Sequence, residues 1–120
     1  MKNILIFSLV GWVLLGCSSE ETLHCDYGYT NTKEALASCN KAAEQGEALA
    51  QIYLGNKYQH GKGEVTRDFA QAVYWYKKAA DQDWATAQYD LGQMYFRGEG
   101  VTQDYNEAFK WFKKAAEQGD

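Results

Sequence analysis

Proline is absent from this 120-residue chain, and histidine, methionine and cysteine are scarce, with two, two and three residues. The absence of proline excludes collagen-like and proline-rich sequences. A nucleic-acid-binding surface is not expected, because 12 Lys and Arg stand against 16 Asp and Glu, for a net charge of −4. Aromatic residues are plentiful, at 15%. Because disordered chains are poor in aromatics, the composition predicts one folded domain.

The N-terminal apolar run, Ile4 to Leu15, is shorter than the roughly 20 residues that a transmembrane helix needs. It follows Lys2, and this order of charge and apolar residues is typical of a secretory signal peptide over residues 1–16. The sequence LLGC that ends at Cys17 resembles a bacterial lipobox, which implies that Cys17 is lipidated and becomes the new N-terminus. An ordinary signal peptide with an incidental Cys17 is the alternative.

The predicted lipid anchor sets the expected location of the chain. An acidic protein gains no attraction to anionic lipids, so the acyl chains on Cys17 must hold it at the membrane. Ser18 follows the cysteine, which resembles lipoproteins sent on to the outer membrane. We therefore expect a bacterial envelope protein that faces the periplasm, with residues 17–30 as a lipidated tether and N-terminal cap segment.

Two cysteines remain for structural roles, Cys25 and Cys39. In an exported protein such a pair is usually a disulfide, and we predict that it ties the N-terminal cap to the body of the chain. The alternative is a metal or redox site formed by His24, Cys25, Asp26 and Cys39. Because the segment has one nearby histidine and no C-x-x-C pair, the sequence predicts no metal and no cofactor.

The rest of the chain contains an internal repeat. A leucine-glycine pair at 54–55 returns at 91–92, 37 residues later. Trp75 returns as Trp111 after 36 residues, since Glu64 is one extra residue in the first copy. A partial copy precedes both, so we predict an array from 31 to 120 that consists of a half repeat at 31–46 and repeats at 47–82 and 83–119. A period in this range is typical of stacked helical hairpins.

Each full copy contains two stretches with apolar or small residues at helical spacing, separated by a Gly-x-Gly turn that ends the first helix. The second stretch begins with a capping-box pattern, at Asp68 and Asp104, and at Asn31 in the half repeat. The predicted fold is an all-α array of about five antiparallel helices.

The combined pattern is A-x-A-Q-x-x-L-G-x-x-Y followed by V-x-x-D-x-x-x-A-x-x-W-[YF]-x-K-A-A. It resembles the Sel-one-like repeat, a helical-hairpin relative of the tetratricopeptide repeat, over residues 31–119. The resemblance implies a short right-handed α-solenoid that holds other proteins without catalysis. The implied partner is an envelope protein or peptide.

The first helices of such a solenoid tend to line its concave side. Residues that differ there between the two copies are therefore candidates for contact with a partner, unless they are ordinary solvated side chains. The candidate residues are Tyr53, Asn56, Lys57, Asp90, Gln93 and Met94.

Two other functions stay open at this point. The first is an enzyme or binding protein of the cysteine-rich repeat type that is directed at β-lactams or cell-wall material. Ser38-x-x-Lys41 matches the S-x-x-K motif of β-lactamases and penicillin-binding proteins, and some cysteine-rich relatives of this repeat family have been described as penicillin-binding. However, the companion motifs of these enzymes, S-D-N and K-T-G, are absent from the sequence. Ser38 also stands at the repeat position that Trp75 occupies in the first full copy. The other alternative is a self-associating lipoprotein, since Phe109 and Phe112 are expected to be partly exposed at the end of the array.

Overall fold

The computed structural model describes Cys25 and residues 32–119. It contains five helices: α1 Lys33–Glu44, α2 Ala48–His60, α3 Phe69–Ala80, α4 Ala85–Arg97 and α5 Tyr105–Gln118. Each helix packs against the next along the chain, and no strand occurs in the described residues. The prediction of an all-α helical solenoid is confirmed. The predicted signal peptide, Cys17 and most of the tether lie outside the described residues.

The helices are of two kinds, which alternate along the array. We call α2 and α4 the first helices, because each opens a full repeat, and α1, α3 and α5 the second helices. The first helices end at Gly61 and Gly98, whose φ angles of 64° and 70° are left-handed. Glycine adopts this conformation without strain, so the Gly-x-Gly turns end these helices as predicted.

The second helices begin at side-chain N-caps. The Asp68 carboxylate accepts a hydrogen bond from the backbone N–H of Gln71, and Asp104 accepts from two backbone N–H groups. In α1 the cap is Thr32, one residue after the predicted Asn31, because the Thr32 hydroxyl oxygen accepts from the Ala35 N–H at 3.2 Å. Asn31 itself lies outside the described residues.

Two glycines let the first and second helices of each repeat approach closely. A Cβ atom on Gly55 would lie 2.6 Å from the ring of Tyr76, and one on Gly92 would lie 2.8 Å from the ring of Phe112. Both distances are shorter than van der Waals contact, so the leucine-glycine pairs of the repeat are packing positions.

The core consists of two apolar clusters. One spans α3, α4 and α5 and includes Ala48 of α2, with Tyr76 and Trp111 as its large side chains. The other joins α1 to α2 and α3 around Cys39 and Trp75. Cys25 packs on this second cluster and forms the predicted disulfide with Cys39, with 4.8 Å between their Cα atoms.

Two fully buried glutamines link successive repeats. The Gln51 amide donates to the Ala43 carbonyl at 3.0 Å, and Gln88 donates to the Ala80 carbonyl at 3.2 Å. In each case the first helix of one repeat is fixed to the end of the second helix that precedes it. The glutamines are therefore the polar contacts that set the register of the array.

No helix within residues 32–119 is long and apolar enough to cross a membrane.

Candidate functional site

The candidate site is the exposed side of the two first helices. We define the first-helix strip as Tyr53, Asn56 and Lys57 of α2 with Asp90 and Gln93 of α4. Asn56 is exposed, and the other four are half-buried. Because the buried sides of α2 and α4 are fixed in the core, the strip is a side-chain surface on a rigid frame.

Tyr53 and Lys57 form one half of the strip. They lie one turn apart on α2, and the Lys57 ammonium is 5.2 Å from the centre of the Tyr53 ring. Both line a shallow depression next to α1, together with Thr32 and Leu36. This half therefore combines an aromatic ring with a positive charge.

Asp90 dominates the other half of the strip. Its carboxylate is half-buried, and within the described residues it accepts no hydrogen bond. Burial raises the pKa of Asp90 to about 6, while the nearby His60 acts in the opposite direction. A carboxylate that has lost water without gaining a hydrogen bond is costly to the fold, so its position favours a role in binding.

Tyr76 lies near Asp90 but does not donate to it. The Tyr76 hydroxyl donates instead to the side-chain oxygen of Gln59 at 2.8 Å. Burial, with a smaller contribution from the charge of Asp90, raises the pKa of Tyr76 above its ordinary value. The Tyr76 hydroxyl is therefore held neutral and engaged, and Asp90 keeps its acceptor capacity for another group.

Met94 is placed differently from the other candidates. It is fully buried in the cluster of α3, α4 and α5, and the amide of Gln59 lies 3.5 Å from its sulfur. The sequence-based assignment of Met94 to a partner surface is therefore corrected. Met94 packs against the preceding repeat, whereas Lys57 at the equivalent position is half-buried in the depression next to α1.

The candidate residues leave out Gln59 and His60 of α2, which lie near α4: Gln59 contacts Met94, and the charge of His60 acts on Asp90. A signal for them was present, since positions 59 and 60 differ from their counterparts Phe96 and Arg97 as clearly as Asn56 differs from Gln93. The distance of these two residues from Asp90 depends on how α2 is placed relative to α4, which the sequence does not specify.

The two phenylalanines proposed for self-association differ in environment. The Phe109 side chain is 67% exposed on α5. Phe112 is half-buried, lies over Gly92 and packs against Tyr89 with 5.4 Å between ring centres. Only Phe109 is thus fully available, because Phe112 is part of the packing of its own repeat.

Ser38 and Lys41 lie one turn apart on α1, with Ser38 half-buried and Lys41 exposed. The lysines at the equivalent positions of α3 and α5 rest on aromatic rings: Lys78 is 5.1 Å from the centre of Tyr74, and Lys114 is 4.9 Å from that of Trp111. Lys41 therefore stands at the position of a lysine that recurs in every copy of the repeat. Within the described residues, no group of three or more potential metal ligands occurs.

The alternating hairpins and the first-helix strip define a helical repeat protein of the solenoid class. Comparison with known families gives the particular kind: the family model of the Sel1 repeat matches residues 48–84 and again 85–120. The chain belongs to the Sel1 repeat family.

Three solved structures are similar over most of the array. An SLR-fold protective antigen of uropathogenic Escherichia coli, c5321, is 50% identical, with a TM-score of 0.68 over 72% of this chain and 18% of that one. A Sel1 repeat protein of Oxalobacter formigenes is 41% identical, with a TM-score of 0.69 over 72% and 65%. Helicobacter pylori cysteine rich protein B is 25% identical, with a TM-score of 0.73 over 94% and 87%.

The curated relatives are much longer proteins. HRD3B of Arabidopsis thaliana, a component of an ERAD-associated E3 ubiquitin-protein ligase, is 35% identical over 62% of this chain and 13% of its own length. Chitin synthase regulatory factor 3 of Schizosaccharomyces pombe is 35% identical over 62% and 8%. The chain thus spans about an eighth or less of the length of these relatives.

Proposed function

We propose that this chain is a non-catalytic protein–protein interaction module whose partner lies along the first-helix strip. The observation that carries this proposal is the half-buried Asp90 carboxylate, which accepts no hydrogen bond within the described residues. Family membership supports the general function, because relatives of the chain are components and regulators of other proteins. The first-helix strip adds to this general function a specific surface and the chemical groups that a partner would contact.

The strip favours an extended or helical peptide with a basic group near one end. Such a group would pair with Asp90 and replace the water that the carboxylate has lost. Tyr53 would take an aromatic or apolar part of the same peptide, since its half-buried ring lies on the same side of α2 as Lys57. Asn56 and Gln93 stand at equivalent positions of α2 and α4 and add side-chain amides for hydrogen bonds.

Affinity purification of the full chain from its native cells tests this role. In the Asp90→Lys variant a positive charge replaces the proposed anionic contact, so we expect the co-purified protein to be lost. Glu117 is exposed on α5, outside the strip. The Glu117→Lys variant makes the same change of charge there and is expected to retain the partner. Equal recovery of one partner with both variants would refute the assignment of the site.

We propose in addition that lipidated Cys17 anchors the module to the bacterial outer membrane, facing the periplasm. The support is the LLGC sequence after the apolar run and the serine that follows the cysteine. Labelling of cells with an alkyne-bearing fatty acid tests this directly. We expect label on the unaltered chain in the outer-membrane fraction and none on the Cys17→Ser variant. An unlabelled chain in the soluble periplasmic fraction would contradict the anchor.

A further inference from the structure

Positive charge is concentrated on the second helices α3 and α5. We define the lysine face as the exposed lysines of these two helices: Lys77, Lys78, Lys110, Lys113 and Lys114. Helix α3 contains no acidic residue, and α5 contains two, Glu107 and Glu117. The lysine face is therefore positive, although the net charge of the whole chain is −4.

The lysines of the two helices lie on the same side of the array, because they stand at equivalent positions of the repeat. Lys77 and Lys113 are 36 residues apart, and so are Lys78 and Lys114. The ammonium groups of Lys77 and Lys114 lie 5.4 and 4.9 Å from the centre of the same Trp111 ring. One continuous basic surface thus crosses from α3 to α5.

Much of the charge on the lysine face is uncompensated. Two of its lysines form ion pairs with neighbours along the chain, Lys77 with Asp81 and Lys110 with Glu107. Because both pairs are in contact with water, they contribute little and leave the lysines open to other anions. The other three lysines of the face form no ion pair within residues 32–119. The face is therefore complementary to an anionic partner.

The composition of the lysine face favours a membrane surface as that partner. The Tyr74 ring is 50% exposed, and the Lys78 ammonium lies 5.1 Å from its centre. Exposed aromatic rings among lysines are typical of helices that lie on membranes, where the ring sits at the level of the headgroups and the lysines pair with phosphate. The proposed lipid on Cys17 would hold the array beside such a surface, and the choice of a membrane rests on the proposed function in this respect alone.

We propose that the lysine face lies on the headgroups of anionic phospholipids, which leaves the first helices and their strip open to a protein partner. Each lysine near such a surface strengthens binding by about fivefold. Charges that are farther away than about 10 Å are screened at 0.1 M salt, so acidic residues elsewhere on the array oppose this contact little. The net charge of the chain is an average that does not describe this face.

Lysine reactivity on vesicles tests the proposal. The full chain is purified from its native cells and mixed with excess vesicles of phosphatidylcholine, either alone or with about 30% phosphatidylglycerol, at about 0.1 M salt. Mass spectrometry measures how far a water-soluble reagent, used at low dose, acetylates each lysine. We expect Lys77 and Lys110 to react about threefold more slowly on the anionic vesicles only, and Lys62, exposed in the turn after α2, to react equally on both. Salt of about 0.5 M should restore the reactivity.

Two matched variants test which charges are responsible. The first changes the three lysines that form no ion pair: Lys78→Gln, Lys113→Gln and Lys114→Gln. The second removes three exposed positive charges outside the lysine face: Lys62→Gln, Arg67→Gln and Arg97→Gln. Both variants change the net charge equally, and circular dichroism verifies that both stay helical. We expect the first variant to lose the protection of Lys77 and Lys110, and the second to keep it.

The proposal is overturned by equal reactivity of Lys77 and Lys110 on the two kinds of vesicle, by equal protection in the two variants, or by equal protection of Lys62. Equal reactivity on vesicles together with protection in intact cells would assign the lysine face to an acidic protein instead. The mass of the N-terminal peptide shows in the same sample whether Cys17 carries lipid. A chain without lipid would refute the anchor, but the protection of the lysine face is measured either way, so the two failures are distinguishable.

Discussion

Asp90 and Tyr53 stand at the same position of two successive repeats, yet the structure places them in different environments. Tyr53 contacts the cluster around Cys39 and holds Lys57 over its ring. The Asp90 side chain is half-buried near Tyr76 and His60. The repeats place equivalent residues at equivalent backbone positions. Which of these positions can bind a partner depends on the side chain at each one.

The pH dependence of stability reports on Asp90. Burial raises its pKa from 3.8 to about 6, so the folded chain binds more protons than the unfolded chain between these values. Asp90 therefore reduces stability increasingly as the pH rises through this window, and fully above pH 6. We expect Asp90→Asn to raise the free energy of unfolding at pH 7 by about 1 kcal/mol, a value discounted for partial exposure, and to change it little at pH 4.

Urea unfolding of the two proteins at pH 4, 5, 6 and 7 measures this difference. Asp81→Asn provides the control, because it removes an exposed carboxylate whose ion pair with Lys77, at 3.6 Å, contributes little to stability. A difference for Asp90→Asn that does not grow with pH would contradict the assigned environment.

Gly55 and Gly92 test the close approach of helices at the residue scale. Alanine normally stabilises a helix interior relative to glycine, but a Cβ on Gly55 would lie 2.6 Å from the ring of fully buried Tyr76. We expect Gly55→Ala to cost about 1–3 kcal/mol of unfolding free energy. Gly92→Ala should cost less, because the half-buried Phe112 ring can move outward. Thermal and urea unfolding compare the two; a larger loss for Gly92→Ala would be inconsistent with this packing.

At the scale of the helix, much of the structure follows from the sequence. Helix periodicity, the Gly-x-Gly turns and the caps at Asp68 and Asp104 are local signals, and the five helices occur where those signals place them. The first cap was predicted one residue early, because Asn31 and Thr32 are both good N-cap residues and only the backbone path selects between them.

The buried residues between helices are less predictable. Gln51 and Gln88 are polar and would ordinarily be assigned to the surface, yet both are buried because a carbonyl of the preceding helix accepts from each. Met94 is predicted to lie on the surface because it differs from its counterpart Lys57 in the other copy. Met94 is buried because its side of α4 packs in the cluster that α3 and α5 also form. Such differences arise from neighbours in space, which a single repeat sequence does not contain.

Capping of α5 gives a prediction at the element scale. The Asp104 carboxylate accepts hydrogen bonds from the N–H groups of Asn106 and Glu107 at 3.0 and 3.1 Å. Asp104→Ala should lower the free energy of unfolding by about 1 kcal/mol. Urea unfolding provides the measurement, with Asn106→Ala as a control that keeps both hydrogen bonds and should change stability by much less. Equal losses in the two variants would exclude the cap as the cause.

For the whole molecule, the structure separates the parts that hold the array together from the parts available to others. The disulfide, the two clusters and the glutamines are internal contacts. The first-helix strip is the candidate surface for a partner and lies across the repeats. The composition and repeat pattern predicted the array, whereas the division of its surface needed the packed structure.

Site-directed photo-crosslinking in native cells tests the central claim most directly. A photoreactive amino acid replaces Asn56 or Gln93 in the strip, and Gln71 or Lys113, which are exposed on second helices, as controls. The account predicts one discrete protein crosslinked from both strip positions and absent from both controls, identified by mass spectrometry. The same product from all four positions, or a partner captured only from Gln71 or Lys113, would contradict binding along the first helices.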